Sequence, residues 1–509
     1  MNVVLRADAS VAMGSGHLRR CLALAHALRD LGAHCLFVCR PLGMDVDGLV
    51  EGEGFALAML PTASESCADA ADAADTLALL ARRGLVDVPL VLVDHYALQA
   101  PWHRRIAAGL GCSVAAIDDL ADRDLAVSCL VDPNPALDHR LKYAGRLPAS
   151  ARLLGGPRYA LLAPAYRDAP RCAVAHPVQS IGIFMGGTDP GGFSAAALIA
   201  CRERVGFDGP IEVVSTRANP QHAALAQLVT RWSGTTLTLD LPDLAAFFAR
   251  HGLHIGAGGG ASWERCCIGA PTLVLQAADN QAAVVPQLRR LGVAATLAEL
   301  TEAAMDQAFD HALTALLADA PLRQALSQRS QALVDGNGAR RVAAALLAPA
   351  LRVRKATAAD RERLLAWRNH AATRAVSLSA QEIDAAAHTA WLARTLADPT
   401  RQLLVGCIGE QPVGVIRFDQ APGADRLEAE VSLYLDPALH GLGLGPHLLA
   451  AGERAARAWA GESLGFLATV LDRNPGSQRL FAAAGYRLQQ GLWRKPAPVS
   501  HHQAQEATA

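Results

Sequence analysis

Short runs of leucine and β-branched residues alternate, through the first two thirds of the chain, with longer alanine- and leucine-rich stretches of helical period. That alternation is the pattern of βα units wound around parallel sheets. Asn2 to Arg6, His34 to Cys39, Leu90 to Val93, Ser113 to Ile117 and Leu130 to Val131 read as strands of a first sheet. The pattern pauses in a segment rich in Pro, Gly and Arg, 147–177, and restarts with Ser180 to Met185, so two consecutive doubly wound halves are expected. Helical patterns fill 301–350. Beyond them Arg352 to Ala356 opens a unit of different character, in which Arg401 to Ile408 and Gln411 to Phe418 form a hairpin and Ala429 to Leu435 is an alternating strand. The expected fold class is α/β, with domains at 1–160, 161–349 and 350–496, the last with a mixed, partly antiparallel sheet, and a disordered tail at 497–509.

Several strand-to-helix turns carry chemistry. The first strand runs into Asp8 and then Gly14-Ser15-Gly16-His17, with a helix beginning near Leu18. The glycines let the backbone approach a bulky or charged group, and the imidazole can act as a base near neutral pH. In the second half, a strand ends in Gly256-Ala257-Gly258-Gly259-Gly260, and Ser262 or a neighbour opens a helix whose free N–H groups and positive end suit a diphosphate. Glu264 lies in the first turn, where an ionised carboxylate can accept two hydrogen bonds from a ribose diol. Ala278-Asp279-Asn280-Gln281 begins a further helix, and there a cap and a ligand contact are both open readings.

Composition narrows the ligands. The 509 residues carry a formal charge of −1 without long basic or acidic runs, so neither nucleic acid nor an anionic membrane surface is an expected partner. Eleven cysteines, an odd number, show no CxxC spacing, and neither disulfides nor a metal site are expected. The absence of a long apolar run and of a leader-like amino terminus reads as a cytoplasmic protein.

Taken in order, Arg6-Ala7-Asp8, Gly14, Gly16-His17, Arg20-Cys21-Leu22, Asp94-His95-Tyr96, Ile117-Asp118-Asp119, Gly186-Gly187-Thr188-Asp189-Pro190, Ser262-Trp263-Glu264-Arg265-Cys266-Cys267 and Ala278-Asp279-Asn280-Gln281 resemble the UDP-sugar hydrolase of pseudaminic acid biosynthesis over about 1–345. The resemblance implies a GT-B-like pair of Rossmann-like domains. It also implies hydrolysis of UDP-2,4-diacetamido-2,4,6-trideoxy-β-L-altropyranose to UDP and free sugar, with inversion. On it, His17 is the base, and Asp8, Gly14, Gly16, Tyr96, Gly258, Gly259, Ser262, Glu264 and Asn280 bind substrate, Asp8 by orienting His17 or neighbouring backbone. A GT-B glycosyltransferase with an alcohol acceptor is the alternative.

In the last third, His440-Gly441-Leu442-Gly443-Leu444-Gly445-Pro446 stands at a strand-to-helix turn and resembles the pyrophosphate cradle of the GNAT acetyltransferases, with His440 where Gln or Arg is usual. Asn474 and Ser477 to Tyr486 resemble that superfamily's second acetyl-CoA motif. The segment Trp367-Arg368-Asn369 with His388-Thr389-Ala390-Trp391 is similar to members that acetylate amino groups of nucleotide-linked sugars. The resemblance implies acetyl-CoA as co-substrate, bound by His440, Gly441, Gly443, Gly445 and Asn474, and the precursor UDP-4-amino sugar as acceptor. Glu430 is either its base or an ordinary strand carboxylate. Phe481 stands where many members carry a proton-donating tyrosine, which leaves a non-catalytic docking module as the alternative.

Overall fold

The computed structural model describes residues 1–10, 13–62, 69–85, 87–297, 302–420, 428–489 and 491–497, with the backbone alone described at 280 and 302–305. The expected tail thus lies outside the described residues beyond Ala497. Two compact units divide the chain, Met1–Val342 and Ala343–Ala509.

The first unit holds two parallel sheets. One comprises β1 (Asn2–Ala7), β2 (His34–Cys39), β3 (Ala56–Met59), β4 (Leu90–Asp94), β5 (Ser113–Ile117), β6 (Cys129–Asp132) and β7 (Arg152–Gly155), in the order β3-β2-β1-β4-β5-β6-β7. The other comprises β8 (Ile181–Phe184), β9 (Ile211–Ser215), β10 (Thr235–Leu239), β11 (Leu253–Ala257), β12 (Thr272–Leu275) and β13 (Ala295–Thr296), in the order β10-β9-β8-β11-β12-β13. Central strands such as β1, β4 and β11 are buried on both faces, which is why they read as unbroken apolar runs. The segment in which the alternation pauses contains β7, a short strand with a half-buried Arg152 at its start.

Winding reverses beside β1, which pairs with both β2 and β4, and beside β8, which pairs with both β9 and β11. Open parallel sheets offer a crevice at the carboxyl ends of the strands flanking such a reversal. The His17 loop follows β1 and Asp94 ends β4, while the Gly186 loop follows β8 and Gly258 follows β11. All four segments therefore sit at the two switch points.

In the second unit, β14 (Leu351–Lys355), β15 (Arg401–Ile408), β16 (Gln411–Gln420), β17 (Glu428–Leu435), β18 (Gly465–Ala468), β19 (Arg487–Gln489) and β20 (Leu492–Lys495) form one sheet in the order β14-β15-β16-β17-β18-β20-β19. Every pairing is antiparallel except β17 with β18. The helix Gly445–Ala460 packs on it through Leu448, and a Cβ on Gly406 would lie 2.5 Å from Leu448 Cδ1. Among the described residues, no helix is long and apolar enough to cross a membrane.

Candidate functional site

His17 lies in the first turn of the helix Gly16–Asp30, its side chain nearly buried. Its Nδ1 is 2.6 Å from Asp94 Oδ1, the carboxylate that ends the neighbouring strand β4. Arg20, one turn further along the helix, donates to the same carboxylate from Nε at 2.5 Å and from Nη2 at 2.7 Å, and reaches Asp119 Oδ2 at 3.2 Å. Burial pushes the Asp94 carboxyl up, but Arg20 and His17 outweigh it and hold the group well below the ordinary carboxylate range. An ionised Asp94 accepts the Nδ1 proton, which leaves Nε2 as the lone-pair nitrogen. Among the described residues nothing bonds to Nε2. Tyr96 stands edge-on to the imidazole, with ring centroids 4.5 Å apart, and donates its hydroxyl to Asp119 Oδ1 at 2.8 Å. Gly14 closes the preceding turn by donating to Ser10 O at 2.7 Å with φ +75°, and Gly16 is exposed, with open space where a Cβ would be.

Of the two parts expected for Asp8, the structure shows a contact to neighbouring backbone and none to His17. Asp8 is buried, accepts from Arg6 at 2.5 and 2.9 Å and from the Arg40 amide at 2.8 Å, and lies 3.2 Å from His95 Nε2. Arg6 also donates to Asp72, which accepts from Arg40 Nε and Trp102 Nε1 as well. Asp8 therefore belongs to an internal ion network that fixes the carboxyl ends of β1 and β2. The residue that orients His17 is Asp94.

The glycine turn after β11 is tighter than its sequence implies. The Gly258 amide is already taken, by Leu275 O at 3.0 Å and by Gln281 Oε1 at 3.1 Å, and a Cβ there would lie 2.3 Å from Val285 Cγ2. Gly258 is a packing glycine. The amides of Gly259 and Gly260 have no acceptor among the described residues, and neither position is closely crowded. Ser262 is held internally as well: buried, it donates its amide to Gly259 O, and its hydroxyl oxygen accepts from Arg265 Nη2. Glu264 is half-buried beside the Tyr166 hydroxyl, and burial raises its carboxyl against the opposing pull of Tyr166, Arg19 and Arg265. Arg19 and Trp263 join the two halves of the unit, Arg19 Nη1 donating to Pro242 O at 3.1 Å and Trp263 Nε1 to Asn134 Oδ1 at 3.1 Å. The charge that Arg19 exerts on Glu264 thus comes from the helix that bears His17. For Asn280, in the turn Asp279–Gln281, the side chain lies outside the described residues.

In the second unit, β17 and β18 pair only from Glu428↔Gly465 to Glu430↔Leu467, although β17 continues to Leu435. β18 ends at Ala468, so beyond Glu430 one backbone edge of β17 has no strand partner among the described residues. In the turn between β17 and the helix Gly445–Ala460, Gly441 and Gly443 have φ +75° and +91°, with open space where a Cβ would be, and their amides and that of Leu444 have no acceptor among the described residues. Gly445 opens the helix, and His440 braces the turn with Nε2 3.3 Å from Leu435 O. These features fit a bound diphosphate with an attached extended chain. Asn474 is a cap: its Oδ1 accepts from the Ser477 amide at 3.0 Å at the start of the helix Pro475–Ala483. Glu430 accepts from Thr469 Oγ1 at 3.0 Å. Phe481 is buried against Tyr486, whose hydroxyl is committed to Glu453 at 2.9 Å.

Asp94, Arg20, Asp119 and Gln281 are the residues whose parts at these sites sequence reasoning did not assign. All four lie within the motifs that carried the resemblance, but only the pairing of β1 with β4, and of β11 with β12, makes them neighbours of the turns they hold.

Residues 362–486 match the model of the Acetyltransferase (GNAT) family. The chain has the α/β fold class expected of it, two Rossmann-like parallel sheets followed by a unit with a mixed sheet, and the GNAT match lies within that last unit. Spore coat polysaccharide biosynthesis protein SpsG of Bacillus subtilis (strain 168) is 28% identical over 199 residues, 39% of this chain. The match spans 58% of that relative's length. MurG of Acinetobacter baumannii aligns over 67% of this chain and 98% of its own, at 15% identity and a TM-score of 0.47. YncA of Salmonella typhimurium, solved with its cofactor acetyl-CoA, aligns over 30% of this chain and 96% of its own, at 22% identity and a TM-score of 0.26.

Proposed function

We propose that the chain performs two consecutive steps on one sugar nucleotide: 4-N-acetylation of a UDP-4-amino sugar from acetyl-CoA, then hydrolysis of the product, UDP-2,4-diacetamido-2,4,6-trideoxy-β-L-altropyranose, to UDP and free sugar, as in pseudaminic acid biosynthesis. The observation that carries the hydrolytic half is the His17–Asp94 pair, which presents an unbonded Nε2 at a switch point. In that step, water attacks the anomeric carbon as Nε2 takes its proton, the bond from that carbon to the diphosphate oxygen breaks, and UDP departs. Attack opposite the leaving group inverts the centre. The Gly259 and Gly260 amides hold the departing diphosphate, and Glu264 in its ionised form takes the ribose hydroxyls. His17 carries a proton in the transition state, and Asp94 stabilises that imidazolium.

For acetyl transfer, the free edge of β17 and the amides of Gly441, Gly443 and Leu444 hold the thioester co-substrate. Glu430, through water, takes a proton from the acceptor ammonium, the amine attacks the thioester carbonyl, the C–S bond breaks, and the second proton that the nitrogen sheds in becoming an amide goes to solvent. Phe481 has no proton to offer the thiolate, which takes one from solvent.

One experiment tests both halves: supply the UDP-4-amino sugar with and without acetyl-CoA and follow products by mass spectrometry. UDP and the free diacetamido sugar are expected only when acetyl-CoA is present. UDP released without acetyl-CoA removes the order of steps, and a glycoside in place of free sugar makes the first unit a glycosyltransferase.

A further inference from the structure

Behind the turn Gly258–Gly260 lies a buried cation that has no ion-pair partner among the described residues. Arg265 is buried in the helix Ala261–Ile268, donates from Nη2 to Ala257 O at 2.6 Å and to Ser262 Oγ at 3.1 Å, and leaves Nη1 without a hydrogen bond. Among the described residues no carboxylate reaches it within ion-pair distance: Glu264 acts on it only through its field, and the Arg265 Cζ stands 5.9 Å from the centroid of the Phe248 ring. Room for the guanidinium is reserved by the backbone, since a Cβ on Gly256 would lie 2.4 Å from Nη1. Burial pushes the group down to about 10, still charged at neutral pH, and with His251 it helps hold the buried His254 well below its ordinary range.

A buried guanidinium without an ion pair is costly, and two neutral acceptors, the Phe248 ring and the more distant Glu264 charge offset only part of that cost. A purely structural strut joining Ala257 to Ser262 would need only donors, which a neutral side chain supplies. What a cation adds is a field, and in a water-poor interior that field is weakly screened. Arg265 Nη2 spans Ala257 O and Ser262 Oγ, which flank the turn whose Gly259 and Gly260 amides have no acceptor among the described residues. We propose that Arg265 is a positioning residue whose buried charge selects dianionic diphosphate at that turn, without touching the ligand. The proposal rests on the UDP-sugar reading of the first unit and names the source of its preference for the charged part of the nucleotide.

The test compares UDP with uridine, measured by titration calorimetry on the full chain, for the native protein, Arg265→Met and Ser262→Ala. Arg265→Met keeps volume and removes charge, so UDP affinity should fall about tenfold or more while uridine affinity changes by less than about threefold. Ser262→Ala removes one hydrogen bond and leaves the charge, so the UDP-to-uridine ratio should stay native. Should Arg265→Met not fold, Arg265→Lys decides: it keeps the charge and gives up the planar fork, and the ratio must remain near native. Equal losses for UDP and uridine in Arg265→Met, or a collapsed ratio in Arg265→Lys, overturn the proposal and make Arg265 a strut. A native protein that binds neither ligand overturns the nucleotide reading itself, and the role of Arg265 with it.

Discussion

With both Asp94 oxygens bonded to Arg20 and one of them to His17 Nδ1, replacement by Asn alters the histidine far more than the shape of its surroundings. An amide can offer its NH2 to Nδ1, which drives the ring proton to Nε2, the wrong nitrogen for a base. Asp94→Asn should therefore lower hydrolysis about a thousandfold, close to the loss in His17→Asn, with acetylation intact. Steady-state UDP release beside coenzyme A release measures both, and near-native hydrolysis in either variant would remove the pair from the mechanism. It also leaves Arg20 with only Asp119, so a stability loss of about 3 kcal/mol accompanies it, readable by urea denaturation. A second carboxylate reports on acid stability. Glu212 accepts from Thr238, Arg250 and His251, and although burial raises it, His251, Arg250 and Thr238 bring it down to about 2, against an ordinary 4.5. Because its folded value is depressed, its contribution is whole above pH 4.5 and fades as pH falls toward 2. With Arg250 partly solvated, that contribution is about 2 kcal/mol, and Glu212→Gln should flatten this part of the stability–pH curve.

The turns between strands and helices hold the next level of organisation, and there the sequence was informative in proportion to how local each constraint is. Gly441 and Gly443 adopt positive φ, a requirement visible in the glycine pattern itself. Gly443→Val places a branched side chain on a left-handed backbone, so acetyl-CoA affinity should fall at least about tenfold, while UDP affinity holds. Equilibrium binding of each ligand checks it, and unchanged acetyl-CoA affinity would move the cradle elsewhere. The central strands were legible because burial on both faces leaves unbroken apolar runs, whereas β3 and β7, at the sheet edges, carry weaker patterns. Gly258 and Ser262 resembled ligand contacts because a glycine and a small polar residue before a helix look alike whether they face a ligand or a neighbour. Only the positions of Val285, Gln281 and Arg265 decide between them. Which of its two expected parts Asp8 plays was hidden for a related reason: its partners Arg40 and His95 are distant in the chain and meet it only once β1, β2 and β4 are paired.

At the scale of the whole molecule, division into Met1–Val342 and Ala343–Ala509 gives each proposed reaction its own compact body. Calorimetric unfolding should show two transitions, with UDP raising one and coenzyme A the other by mass action. A single transition shifted by both ligands would make the chain one cooperative body. Within the first body, the network of Arg6, Asp8, Arg40 and Asp72 draws on β1, the segments that follow β1 and β2, and the helix Asp69–Arg82, and its four principal charges balance. Losing any one of them strands an opposite charge in the interior at a cost of about 3–5 kcal/mol, a large share of what a domain of this size has to spare. Descendants of this sequence can therefore alter the network only by exchanging several members at once, or after stability has accumulated elsewhere. Its members should drift through evolutionary time as one block, even though no single one of them needs to meet a substrate.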